Sequence, residues 1–403
     1  MTLVQLKQPL QCDLTIVGGG IVGTTLAAAL KHSGLKIIII EARPLEVAAA
    51  KEQAYAFSLL SSRIYQGIGI WDEILPHIGK FGRIKLSDSD YRQTVNFQTQ
   101  DLNTEDLGYV AQHKIVLTTL QKYLANYDNV EWLCPATVTE VKDSQVIVQI
   151  DGQQQSIETK LVIGADGAKS RIREIAGIKT RGWKYWQSCV AFTIKHTAPQ
   201  NNIAFERFWP TGPMGVLPLP GNRCQIVWTH PHSEAQTLQK LDETQFIEKL
   251  QKYTGGFLGD LQLVSDRYIF PVQLMQSDRY VRPRLALVGD AAHCCHPVGG
   301  QGLNLGIRDA AALAEILQEA KSRGEDIGNL RVLQRYEKWR KTENSLVLGF
   351  TDFLNRFFSN NWLPIILIRR MGLSLMERVK PMKIFALKLM TGLKGKTPEL
   401  AQR

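Results

Sequence analysis

The residues predict an α/β chain: a parallel βαβ unit at the start, a mainly antiparallel β region inserted behind it, and a helical tail. Three observations carry that prediction. Short apolar runs at 14–17 (LTIV), 35–40, 161–163 and 285–288 read as strands buried on both faces. Residues 185–275 are instead rich in β-branched and aromatic residues with Pro/Gly turns, as in FWPTGPMGVLPLPG, which suits an antiparallel sheet. From 330 to 403 the pattern is helical.

The first unit is the most specific. Residues 13–41 read DLTIVGGGIVGTTLAAALKHSGLKIIIIE. Gly18, Gly20 and Gly23 give G-x-G-x-x-G directly after a buried strand, and a small-residue helix and a second buried strand ending in Glu41 follow. This is the Rossmann-like dinucleotide fingerprint in its proper context. Gly18 permits the tight turn, Gly20 lets a pyrophosphate approach the backbone, and Gly23 lets helix and strand pack closely. The helix start offers free N–H groups and positive dipole, and Glu41 is spaced to bind a ribose hydroxyl.

Further along, residues 54–75 (AYAFSLLSSRIYQGIGIWDEIL) read as a helix with a Gly-Ile-Gly break near its end. Polar, β-leaning sequence covers 81–107, a helix is expected over 115–126, and strands over 130–133, 137–141, 145–150 and 156–159. The strand at 161–163 runs into a second motif, Asp166-Gly167-x-x-Ser170 with Arg171 and Arg173. It reads equally as a carboxylate placed at the sheet's ligand-binding edge or as a polar turn capping a helix at Ser170. The strand at 285–288 runs into a third, Gly289-Asp290-Ala291-Ala292-His293 and then His296-Pro297-x-Gly299-Gly300-Gln301-Gly302-x-Asn304. There an acid can hold a sugar-alcohol chain, and a helix N-terminus can stabilise negative charge on a reduced ring.

The segments with dinucleotide character bracket the β region, so two interleaved domains are expected. One takes 1–80, 108–180 and 276–330, a substrate-binding β domain takes 81–107 and 181–275, and 331–403 form a basic amphipathic helical region. No run approaches the 18 or so apolar residues of a membrane span. The polar start reads as carrying no signal peptide. The six cysteines show no metal spacing, so free thiols in a reducing, cytoplasmic compartment are expected and no metal.

All three motifs, in this order, resemble the FAD-dependent aromatic hydroxylases with a single dinucleotide domain, the p-hydroxybenzoate-hydroxylase type. The resemblance covers about residues 10–345. It is closest to the ubiquinone-biosynthesis hydroxylases of polyprenylated phenols, through HPVGGQGLNLGIRDA at 296–310, ERFWPTGPMGVLPLP at 206–220, Tyr185-x-Gln187, and Tyr336, Arg340, Asn344, Thr351-Asp352 and Phe357-Phe358 in the tail. Two positions depart from the family: Gln53 where an arginine is usual, and Gly299 where alanine is frequent.

The resemblance implies FAD held by Gly18, Gly20, Gly23 and Glu41, with Gln112 against it, and Asp166 and Gly167 by the pyrophosphate where NAD(P)H also docks. It further implies Asp290 on the ribityl chain, and Gly300, Gln301, Gly302, Leu303 and Asn304 cradling the flavin ring. It implies a monooxygenase in which NAD(P)H reduces FAD, O₂ forms a flavin C4a-hydroperoxide, and a lipophilic phenol attacks its distal oxygen. With no second strand-linked G-x-G-x-x-G, NAD(P)H would bind only transiently. The flavin carries the hard chemistry, so no catalytic dyad is required. His293, His296 and Pro297 lie beside the implied flavin: either histidine would serve as a base or merely shape the loop. Tyr185, Gln187, Phe208 and Trp209 are candidates to face the substrate, or ordinary sheet residues. A flavin reductase of prenyl chains and a non-catalytic flavin subunit of a quinone-synthesis complex remain the alternatives.

The net charge of +10 suggests an anionic partner. Arg356, Arg369, Arg370, Arg378, Lys380, Lys383, Lys388, Lys394 and Lys396 crowd the tail between apolar positions, with Glu377 the one acid over 353–396. A basic amphipathic helix reads as binding an anionic membrane surface, here the inner face, with a helix packed on its own protein as the alternative. Basic and aromatic residues do not interleave as nucleic-acid recognition requires, so no nucleic acid is expected.

Overall fold

Ile37–Ile40 is four isoleucines in a row, all buried. Side chains alternate across a strand, so a strand apolar at every position must be covered on both faces. The computed structural model describes residues 8–402 apart from 90, 92, 200 and 201, and puts this strand inside a mainly parallel sheet. Leu10–Val17 pairs in parallel with Ile37–Ile40 on one side and Gln153–Gly164 on the other. Val130–Leu133 and Leu285–Leu287 extend the sheet outward, also in parallel. The helix Ile21–Ala29 packs on it between the helices His113–Leu124 and Gln301–Ser322. That approach depends on Gly23, where a Cβ would stand 2.1 Å from the Gly18 carbonyl oxygen.

A second sheet of nine strands is antiparallel except where Ile203–Trp209 runs parallel to Arg83–Asp88. Its two faces differ. Val190, Phe192, Met214, Val216, Ile226 and Trp228 point one way and bury against Leu238, Phe246 and Leu250 of two helices, His232–Lys240 and Glu243–Thr254. The alternate residues, Ala191, Ala204, Gly215, Leu217 and Val227, line a cavity on the opposite face. The two helices interrupt the region expected to be mostly sheet. The second is delimited by Asp242, which accepts from the Gln245 amide, and by Gly255 in the left-handed conformation.

Three expectations need correction. The helix expected over 54–75 is a strand, Ala54–Ser58, then a helix, Leu59–Ile68, and a short turn, Trp71–Ile74. Ser58 is the reason: its hydroxyl caps the Ser61 amide, which starts the helix there. The residues before it pair with Gly108–Gln112 in a small third sheet. The strands expected at 156–159 and 161–163 are one, Gln153–Gly164. His293–Cys294, within the segment assigned to the dinucleotide domain, pairs with Tyr268–Ser277 of the second sheet.

The tail is helical as expected: Leu330–Phe358, Leu363–Arg378 and Lys380–Thr391. Much of its positive charge is paired with acids of the same chain. Arg369 is buried against Asp88, Arg370 meets the same carboxylate, and Lys383, Lys396 and Arg356 pair with Asp101, Glu315 and Asp352. Glu377 accepts from the Asn96 amide. Arg378, Lys380 and Lys388 make no ion pair among the described residues.

Candidate active site

The strands of the parallel sheet deliver their C-terminal ends to one edge, where ligands bind in open α/β sheets. There a cavity of about 850 Å³ opens between that edge and the free face of the second sheet. Gly18, Gly20, Glu41, Asp166, Gly167, Asp290, Gly300, Gly302 and Leu303 all line it. The three motifs, far apart in sequence, therefore meet in one place.

The backbone leaves room there. A Cβ at Gly20, Gly167 or Gly302 would meet nothing within 4 Å. Gly20 caps the helix Ile21–Ala29 without a side-chain hydrogen bond, so the first amides of that helix remain for a ligand. Glu41 accepts from the Gly19 amide at 3.0 Å and from Arg43 Nε at 3.2 Å, which fixes the carboxylate at the lip of the glycine turn. Asp166 Oδ2 accepts from the Ile172 amide, while its buried Oδ1 has no protein partner. Ser170 caps the short helix Arg171–Ile175, so both readings of that motif hold together. Arg173 ties the two acid loops by donating to the Ala168 and Ala291 carbonyls. The Asp290 carboxylate faces the cavity with no hydrogen bond among the described residues, and burial raises its pKa above the usual range. Arg43, Lys51 and Arg171 add positive charge to the walls, and Gln53 lines the cavity too. Open backbone amides, two acids with unsatisfied oxygens and nearby cations suit a dinucleotide such as FAD.

Other expected residues act from behind the wall. Gly23 is a packing position. Gln112 stands at the N-terminal cap position of the helix His113–Leu124 with no side-chain hydrogen bond to it, and does not line the cavity; its neighbour His113 does, held by Ala48 O at 3.0 Å and lowered by burial to a pKa of about 4. Asn304 is buried, and its amide is fully used: Nδ2 donates to Ala56 O and Gly300 O, and Oδ1 accepts from the Ser58 amide and the Ser61 hydroxyl. Gln301 donates to Gly299 O and Met390 O. Gly299 has φ of +64°, and a Cβ there would meet Met390 Cε at 2.0 Å, so an alanine would displace this methionine.

The histidines divide. His293 does not reach the cavity; its Nε2 donates to Asp309 Oδ2 at 2.6 Å. Asp309 also accepts from the Gly289 amide, Arg340 Nε and Asn344 Nδ2. Burial alone would raise the Asp309 carboxyl, but His293 and Arg340 bring it down to about 2. His296 is fully buried, accepts from the Val298 amide and packs edge-on against Tyr185. Burial lowers it to about 3, which makes it a weak base. Only Pro297 of the three candidates lines the cavity.

None of the four substrate candidates lines it. Tyr185 donates to Asp352 at 2.6 Å, Gln187 is held by Thr211 O and Asn355, and Phe208 stacks on Phe358 with ring centroids 4.0 Å apart. These three are covered by the helix Leu330–Phe358. Trp209 lies beside Tyr253 on the far face of the sheet. Sequence reasoning instead passed over Glu206, which lines the cavity and accepts from the Gly299 amide at 3.4 Å. Burial pushes its carboxyl up to about 7. The available signal was an acid in alternation with Ala204 and Phe208 on the same face of its strand.

A glycine turn on a βαβ unit, two further acid loops at the same sheet edge and a facing antiparallel sheet define a FAD-binding flavoprotein. The family model described as FAD binding domain matches residues 11–349. A Synechocystis sp. (PCC 6803) protein, slr1300, is 57% identical over 97% of this chain and 95% of its own. The ubiquinone hydroxylase UbiL of Rhodospirillum rubrum is 36% identical over 92% of this chain and 87% of its own. Among solved structures, p-nitrophenol 4-monooxygenase PnpA from Pseudomonas putida superposes with a TM-score of 0.81 at 19% identity, over 96% of this chain and 99% of that one, and shares the fold. The chain belongs to the FAD binding domain family and, within it, to the FAD-dependent hydroxylases of ubiquinone biosynthesis.

Neutral burial of His296 has a pH consequence. Its folded pKa is depressed, so the stability it contributes is complete above the unfolded value of about 6.5 and is lost as pH falls toward 3. The loss runs at about 1.4 kcal/mol per pH unit for one group. Thermal melting followed from pH 7 to 4 is expected to fall less steeply in His296→Gln than in the wild type.

Proposed function

We propose that this chain hydroxylates a prenylated phenol in quinone biosynthesis, using FAD, NAD(P)H and O₂. The observation that carries the reading is the pairing of two unlike walls around one cavity. One wall is glycine backbone and acids; the other is the small, apolar sheet face of Ala191, Ala204, Gly215, Leu217, Val227 and Phe270. A flat aromatic ring with an apolar tail suits the second wall, and the family relation supports the pathway.

In this reading Gly18, Gly20 and the start of Ile21–Ala29 hold the pyrophosphate, with Asp166 and Gly167 beside it. Glu41 takes a ribose, Asp290 the ribityl chain, and Gly300, Gly302 and Leu303 the ring. Gln301, Asn304 and Gly23 hold these groups in place from behind the wall. When bound, FAD supplies the reductive activation of oxygen. The protein's part is to orient the phenol against the ring and keep water out. His293 secures the loop through Asp309 and takes no proton from the substrate. The division into a discontinuous cofactor domain and a β domain follows the two sheets, with His293–Cys294 crossing between them.

We further propose peripheral attachment to an anionic membrane. No helix among the described residues is long and apolar enough to cross one. Leu363, Leu367, Met371 and Leu375 recur at every fourth position of Leu363–Arg378, each more than half exposed, with Trp362 exposed beside them. Lipid contact through that stripe supports delivery of a lipid-tailed substrate.

Cells lacking the protein are expected to accumulate a prenylphenol one oxygen short of the normal intermediate, read by mass spectrometry against complemented cells. An unchanged quinone pool would exclude the proposed substrate. Asp290→Ala is expected to purify without flavin, and a fully yellow variant would remove Asp290 from the cofactor site. Replacing Leu367 and Met371 together by Asp should weaken sedimentation with anionic liposomes at least about tenfold while FAD stays bound. Equal sedimentation would dismiss the stripe.

A further inference from the structure

We propose that Glu206 accepts the phenolic proton of the substrate, which makes it a catalytic residue of the hydroxylation. The inference rests on the phenol-hydroxylase reading above and goes beyond it by naming the base.

Glu206 stands at the junction of the two walls. It lies on Ile203–Trp209, opposite Gly215 in the neighbouring strand, and faces the cavity. The missing side chain at Gly215 leaves the carboxylate its space: a Cβ there would come to 3.7 Å from Oε2. Oε2 accepts from the Gly299 amide, at the start of the loop that carries Gly300 and Gly302. Oε1 has no hydrogen bond among the described residues.

The surroundings do not neutralise it. No cation of the described residues forms an ion pair with Glu206. From Thr180–His196 the titratable neighbour is the Cys189 thiol, which the Glu206 charge helps to raise. From the loop it meets the Gly299 amide, from Gly212–Leu219 it meets Gly215, and from Arg83–Asp88 the residue in register is Leu86. The carboxylate is half-buried, lines the cavity and has one long hydrogen bond, so a donor entering the cavity would complete it. A phenol O–H in the cavity is such a donor. Burial also raises the carboxyl to about 7, close to neutral pH, where a general base is most effective.

The step is a proton transfer. The phenol O–H bond breaks, an O–H bond forms at Glu206, and the electron pair stays on the phenolate oxygen. Electron density thereby rises at the ring carbons ortho and para to it, where the electrophilic oxygen is accepted. When the ring carbon later loses its hydrogen as a proton to water, the ring oxygen recovers its own proton from Glu206. The carboxylate ends as it began, with no change of oxidation state.

The test uses the FAD-loaded full chain with 2-geranylphenol and its O-methyl ether. Binding is read by perturbation of the oxidised flavin spectrum, and kcat/KM for the phenol is followed across neutral pH. The wild type should bind the phenol more tightly than the ether and show a rising limb centred near pH 7. Glu206→Gln should keep FAD, lose about 10²- to 10⁴-fold in kcat/KM, and lose the limb. The carboxamide still accepts from Gly299, so a merely structural role would leave the pH profile unchanged. If Glu206→Gln does not hold FAD, Glu206→Ser is read by binding alone and must lose the preference for phenol over ether. Hydroxylation by the wild type with an unaltered limb in Glu206→Gln overturns the assignment of the base and leaves the functional reading standing. A wild type that retains FAD but binds neither probe overturns both.

Discussion

The carboxylate of Asp309 holds the active-site loop to the two longest helices. It sits on Gln301–Ser322 with no exposure and gathers four donors: the Gly289 amide, His293, Arg340 and Asn344. Two come from the loop that presents Asp290, and two from Leu330–Phe358. A buried charge so fully satisfied is costly to break, since removing one partner strands the others in a dry interior. The loop bearing Asp290 therefore has one position relative to the glycine loop that follows it. Gly306 reinforces this, because its missing side chain lets Gly289 approach the same helix.

Asn304 does for the other side of the cavity what Asp309 does behind it. Its four hydrogen bonds join Ala56, Ser58 and Ser61 to Gly300. The small third sheet is thus fixed to the glycine loop, and Ala56 packs under Gly300 closely enough that a Cβ there would stand 2.8 Å away. Both residues look like ligand contacts or spare polar groups in a sequence. Their work is to make the cavity rigid before anything binds, which is where oriented chemistry draws its advantage.

The cofactor half of this protein was legible because its constraints are local. A glycine needed for a turn, a strand apolar throughout and an acid at a strand end are each visible within a few residues. Their convergence follows from parallel topology, where every strand end reaches the same edge. The substrate half was not legible, because facing in a sheet depends on what covers each face. Tyr185, Gln187 and Phe208 carry the chemistry expected of a binding wall, yet Asp352, Asn355 and Phe358, 150 to 168 residues away, cover them. Alternation alone would have marked Glu206, but only the cavity gives that acid meaning. The misplaced start of the helix expected over 54–75 has the same origin: Ala54–Ser58 becomes a strand through Gly108–Gln112, a partner no local pattern announces, while the helix and its break at Gly69 follow as expected.

Charge in the tail shows how far composition misleads. Nine basic residues over 353–396 suggested a continuous cationic face, yet Arg369 is buried on Asp88 and Lys383 and Lys396 reach acids elsewhere in the fold. These cations dock the tail onto the body. Leu373 and Leu387 complete the attachment by entering a core cluster with Phe81, Val95 and Phe97. Outward lies an apolar stripe, Leu363, Leu367, Met371 and Leu375 on one helix, with Phe385 on the next. Exposed leucines bought no stability in water, and a stripe of them at helical spacing persists best where it is covered. The exposed stripe, rather than the number of positive charges, is thus what distinguishes the tail's outer face. Arg378, Lys380 and Lys388 are exposed at the end of the helix that bears it and on the next one.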